Sequence, residues 1–143
     1  MRNFTFDFVQ VLHYNKLEMQ AHSLEEAIDK AYELIESGEI EVLGRLTQAS
    51  NASLYCRVFS DDQEVNAIYK PISGERPLWD FPDGHLAWRE VAAYKVSQAL
   101  GFNCVPLTIL RDGPFGDGSF QLWIEDAEEV GERYLESSPE LRR

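Results

Sequence analysis

The apolar residues change period at Gly38, and that change limits the folds open to this chain. Before it, Leu24, Ala27, Ile28, Ala31, Leu34 and Ile35 recur at intervals of three and four, one stripe along a helix. Ser23 stands where an N-cap belongs, with Glu26 three residues on, and Gly38 is placed to end the helix. After Gly38 the apolar runs are short. Ile40–Leu46, Ser53–Phe59 and Val65–Lys70 read as three strands, with a turn at Asp61-Asp62-Gln63 and Pro71 as the stop. A Gly- and Pro-rich loop over 72–83 leads to a helix over about His85–Leu100, closed by Gly101. Val105–Leu110 and Ser119–Ile124 are two further strands about an Asp-, Gly- and Pro-rich turn. Three strands, a helix and two strands predict an α+β fold. Its centre is a five-stranded, mostly antiparallel sheet with one packed helix.

Upstream, Phe4–Phe8 and Leu17–Ala21 each alternate with period two about a turn at His13-Tyr14-Asn15. Residues 1–38 therefore read as a small strand-strand-helix segment, 39–125 as the larger part, and 126–143 as an acidic tail. There is no internal repeat.

The 143 residues carry 13 Lys+Arg against 25 Asp+Glu, a net charge of -12. That balance argues against nucleic-acid backbone or an anionic membrane as partner, since both need clustered Lys and Arg. No apolar run approaches the ~18–20 residues of a membrane span. Asp7 and Gln10 interrupt the pattern of a secretion signal. Cys56 and Cys104 form no disulfide framework or zinc spacing and read as buried, reduced thiols. A cytoplasmic protein is expected.

Three features carry possible chemistry. Ser50, Asn51 and Ser53 lie in the connection between the first two strands, where backbone N–H groups can face a phosphate. No GxGxxG or GxxxxGK[ST] supports them, and an ordinary hairpin loop has the same composition. Lys70 ends the third strand, and Glu90 falls within the helical stripe Ala87, Val91, Tyr94. A carboxylate there needs a partner, and Lys70 is the nearest upstream cation at a strand end. Two readings stand: a structural ion pair, or the strand-lysine and helix-glutamate pair with which kinases hold the α- and β-phosphates of ATP. The third feature is the loop GERPLWDFPDG, Gly74–Gly84, rich in aromatic, Pro and charged residues. Its alternative is a plug in which Trp79 and Phe81 fill the seam between sheet and helix. Asp80-Phe81-Pro82 is no DFG magnesium motif, and it precedes the helix.

The runs AIYKP at 67–71, GE at 74–75, REVAAY at 89–94, LGFNCVPLT at 100–108 and GSFQL at 118–122 resemble the N-terminal lobe of phosphatidylinositol 3-/4-kinase-like proteins. LGRL at 43–46, ASNA at 49–52 and the long GERPLWDFPDG run are closer still to a bacterial group of that kind, common in actinobacteria. The resemblance covers about residues 36–125. It implies a kinase-like N-lobe and ATP as cofactor. Lys70 would contact phosphates and Glu90 would position Lys70. Ser50, Asn51 and Ser53 would lie over the phosphates, and Gln121, Leu122, Trp123 and Ile124 would form the strand and hinge beside adenine. The family's C-lobe would supply the catalytic Asp and the magnesium-binding Asp, and no such sequence follows Glu125. Catalytic residues and metal ligands are therefore not expected here, and Mg2+ is expected only with a supplied C-lobe. The expectation is the ATP-binding lobe of such a phosphotransferase, incomplete alone, as a truncated or split product. Its partners would be a C-lobe-bearing chain or a second copy, met through Trp123 and Ile124. The alternative is a non-catalytic nucleotide-binding or protein-interaction module.

Overall fold

The computed structural model describes residues 2–3, 20–21, 24–47, 49, 51–80 and 86–123. The segment over 1–38 supplies β1 (Arg2–Asn3), antiparallel to β2 (Gln20–Ala21), and helix α1 (Leu24–Ser37). The strand expected at Phe4–Phe8, the start of the one at Leu17–Ala21, the His13 turn, the Ser23 cap and the acidic tail lie outside the described residues. Gly38 ends α1 as its spacing predicts, donating its N–H to the Leu34 carbonyl at 2.8 Å. A Cβ at Gly38 would collide with that same oxygen and with Val58.

Five strands follow: β3 (Glu39–Arg45), β4 (Leu54–Ser60), β5 (Gln63–Pro71), then β6 (Thr108–Arg111) and β7 (Gly118–Leu122) after helix α2 (Leu86–Ala99). They form one antiparallel sheet in the order β3-β4-β5-β7-β6. The expected α+β fold is the observed one. Three details differ. Gln63, expected in the turn, pairs with Ser60, so a two-residue link of Asp61 and Asp62 joins the strands, with Asp61 at φ 50. The fourth strand starts at Thr108 rather than Val105, because Asn103 at φ 48 and Pro106, which has no N–H, keep the preceding residues out of the ladder. A register shift between Val42 and Gly44 bulges the edge strand β3, which disfavours pairing with another edge.

Alternation on the strands decides which face each residue serves. Cys56, Val58, Val65, Ala67, Tyr69, Phe120 and Leu122 point to the face that α1 covers, where they pack against Ala27, Ala31, Leu34 and Ile35. Tyr69 and Phe120 stack across the ladder with centroids 4.3 Å apart, and the Tyr69 hydroxyl donates to the Gly116 carbonyl at 2.5 Å. Arg111 fixes α1 to this face. The last turn of α1 has no basic residue of its own. The Arg111 guanidinium supplies that charge from β6, donating to the carbonyls of Ile35 at 2.6 Å and Gly38 at 3.2 Å. Its pKa is lowered by burial, against the raising effect of Asp112 and Glu36.

Arg111→Ala should therefore lower stability by about 2 kcal/mol in urea unfolding, the upper range for a cation at a partly buried helix end. The cysteines divide. Cys56 is buried as expected, and burial pushes its thiol up to about 11, against a lowering hydrogen bond from the Tyr69 backbone. Cys104 is exposed, contrary to expectation, because it follows the positive-φ turn at Asn103 rather than sitting in a strand. At pH 8 a thiol reagent should modify Cys104 quickly and Cys56 only on unfolding. A raised folded pKa contributes stability below the unfolded value of about 8.5. That contribution should fade as pH rises from there toward 11.

Candidate functional site

The face opposite α1 is where the charged residues meet. The register of β5 against β7 sets Lys70 opposite Ser119 and Ile68 opposite Gln121. Both pairs point away from the α1 core, being one residue out of step with Tyr69 and Phe120. Glu90 reaches them from α2, flanked by the buried Ala87 and Val91. Lys70 Nζ donates to Glu90 Oε1 at 2.7 Å, and Ser119 Oγ donates to Glu90 Oε2 at 2.6 Å. Both oxygens of the carboxylate are thus held from two adjacent strands. The side chains of Lys70 and Glu90 are 30% and 31% exposed. This pair stands at an open cleft and has water on one side.

The helix that carries Glu90 is itself held from the loop. Its first turn contains no acidic residue. The Glu75 carboxylate takes that place, accepting the N–H groups of Leu86 at 3.2 Å and Ala87 at 2.8 Å. The same loop grips the connection between β3 and β4. The Arg76 N–H donates to Asn51 Oδ1 at 3.0 Å, and the Ala52 N–H to the Gly74 carbonyl at 3.3 Å. Gly74 permits this approach, since a Cβ there would collide with the Ala52 side chain. The β3–β4 connection, the loop and α2 are therefore fastened in series.

Between them lies a cleft of about 540 Å³, within the ~300–1,000 Å³ usual for small-molecule sites. Leu46, Ala49 and Ile68 give it an apolar wall. Asn51, Ser53, Lys70, Glu90 and Gln121 supply the polar groups. Five of the residues expected at the site are brought together here. Leu122 is not: it is 2% exposed and packs in the α1 core, because it is one residue out of step with Gln121. Trp123 is not a lining residue either. Its ring meets Tyr55 edge-on at 5.3 Å, and the Trp123 backbone N–H donates to the Asn66 carbonyl. Ser50 and Ile124 lie outside the described residues. Trp79 does not plug the seam, being 98% exposed, and Phe81 lies outside the described residues. Ser119 and Glu75 were not legible as site residues. Their roles depend on strand register and on a loop folding back to a helix start, which no local pattern encodes.

Among the described residues, no group of three or more His, Cys, Asp or Glu side chains is placed to hold a metal ion. No described helix is long and apolar enough to cross a membrane. No family model matches the chain, and no solved structure matches it. Protein Rv2133c of Mycobacterium tuberculosis (strain ATCC 25618 / H37Rv) is 53% identical over 97 residues. The match covers 68% of this chain and 35% of that protein, so the chain spans about a third of the length of its curated relative.

A double-mutant cycle of Lys70→Met and Glu90→Gln should give a coupling of about 1 kcal/mol in unfolding free energy, the range for a partly solvated pair. A coupling of several kcal/mol would mean that the pair is shielded. Glu75→Ala should cost about 1 kcal/mol, as loss of a cap does.

Proposed function

We propose that the cleft binds ATP and that the chain is the nucleotide-binding lobe of a phosphatidylinositol 3-/4-kinase-like phosphotransferase. The observation that carries this reading is the Lys70–Glu90 contact across an open cleft. A lysine on the third strand of the sheet, paired with a glutamate on the helix that follows, is the arrangement with which kinases hold phosphates. The pair's exposure favours a ligand-facing role, because its cation is not sealed into the fold.

The residues present fit such a ligand. Lys70 offers the positive charge for phosphate oxygens. Glu90, held in turn by Ser119, fixes where that charge stands. The Asn51 side chain is anchored through Arg76, which keeps the β3–β4 connection over the cleft. Leu46, Ala49 and Ile68 offer an apolar surface to a flat ring. Bound ATP would supply the transferable phosphoryl group. Transfer also needs an acid-borne metal site and a group that orients the acceptor. In this reading a C-lobe, on a partner chain or a further part of the polypeptide, provides them, and the greater length of the relative supports that. The acceptor follows from that lobe and not from this one. A cytoplasmic setting goes with the free cysteines.

The outer face of α2 favours a second reading, a protein-interaction module. Trp88 and Val96 are exposed on it, and Leu100 and Phe102 are exposed just beyond its C-terminal end.

Lys70→Met should weaken binding of a fluorescent ATP analogue by about tenfold or more, the scale of one charge-assisted hydrogen bond. The far-UV circular dichroism should not change. Unchanged affinity in Lys70→Met would leave a structural pair and the interaction module.

A further inference from the structure

We infer that Glu75 is a positioning residue of the cleft: it ties the β3–β4 connection to the helix that aims Lys70, so that a phosphate-bearing ligand secures both as one event. The inference rests on the nucleotide reading above and goes beyond it by assigning part of the affinity to a residue outside the cleft lining.

Glu75 stands where the bonds of loop, connection and helix meet. Its backbone is extended, at φ -69 and ψ 136, and its own N–H donates to the Ile72 carbonyl at 3.1 Å. The peptide groups on either side of it both face the β3–β4 connection. The Gly74 carbonyl accepts from the Ala52 N–H, and the Arg76 N–H donates to Asn51 Oδ1. The side chain leaves toward α2, where Oε1 accepts from Ala87 at 2.8 Å and Oε2 from Leu86 at 3.2 Å. One residue thus holds the connection through its backbone neighbours and the helix through its carboxylate.

The link is short at its helix end. The first turn of α2 has no acidic residue, so the Glu75 carboxylate is the charge that its N–H groups meet. Ala87 is buried and lies three residues before Glu90, about 4.5 Å along the helix axis. A shift of the first turn is therefore passed to Glu90, and through Glu90 to the Lys70 ammonium. A ligand that bears phosphate engages both ends of this link, Lys70 and the connection above it. The link orders those ends before the ligand arrives. A ligand's apparent affinity falls in proportion to the fraction of protein already in the binding geometry. A nucleoside without phosphate meets the apolar wall, leaves Lys70 untouched and does not draw the two ends together.

Affinities are read by displacement of a fluorescent ATP analogue from the intact chain, with ATP and adenosine as competitors. Glu75→Ala should weaken ATP by about three- to tenfold, the scale of a lost cap, and leave adenosine within about twofold. Asn51→Ala cuts the other end of the link. Adding Glu75→Ala to it should weaken ATP by less than about twofold more, because the link is already broken. A second readout needs no variant. In ¹⁵N-resolved hydrogen exchange of the wild-type protein, saturating ATP should slow the Leu86 and Ala87 amides by about fivefold or more beyond saturating adenosine. Three results would each overturn the assignment while the nucleotide reading stands on Lys70→Met: ATP affinity unchanged in Glu75→Ala, ATP and adenosine weakened alike, or those two amides exchanging equally with either ligand. Failure of ATP to displace the analogue would remove both readings.

Discussion

The cleft depends on one carboxylate held from two strands. Glu90 accepts from Lys70 on β5 and from Ser119 on β7, and those residues are register partners. A glutamate on a helix has several rotamers, and a single surface ion pair restrains it weakly. Two donors on adjacent strands, one of them a fully buried serine, restrain it far more. The result is a defined place for the Lys70 ammonium at the mouth of a cleft whose wall is apolar.

That arrangement requires the sheet to be rigid behind it, which explains the opposite face. The β5 and β7 residues that alternate with the site residues are Ala67, Tyr69, Phe120 and Leu122, and all four are packed beneath α1. Arg111 closes the helix end, and the Tyr69 hydroxyl ties down the turn between β6 and β7. The loop over Gly74–Arg76 adds the lateral connection, capping α2 through Glu75 and holding the β3–β4 connection through Asn51. Motion of α2 relative to the sheet would disturb Glu90, the loop and the cleft roof together.

Much of the fold was legible because its elements are locally determined. The α1 stripe with Gly38, the period-two runs and the Gly101 stop each follow from a few neighbouring residues, and the sheet follows from their order. The Lys70–Glu90 pair was legible for a different reason: a carboxylate within an apolar helical stripe demands a cation, and few stand close enough in the chain. What was not legible depends on register and on parity. Leu122 was grouped with Gln121 as a site residue, yet one step along a strand turns a side chain to the other face. Ser119 is an unremarkable residue until pairing sets it opposite Lys70. The early end of the ladder at Thr108 came from Asn103 and Pro106, whose backbone constraints outweighed the apolar character of Val105.

The central claim is that Lys70 faces a nucleotide phosphate, and the chain's four lysines, Lys16, Lys30, Lys70 and Lys95, provide their own controls. The direct measurement is an amine-acylation footprint, read by mass spectrometry, with and without saturating ATP. The expected result is protection of Lys70 by ATP with Lys16, Lys30 and Lys95 modified as before, and no protection by adenosine at the same concentration. Equal modification of Lys70 with and without ATP would contradict the claim and leave the pair with Glu90 as a structural contact alone.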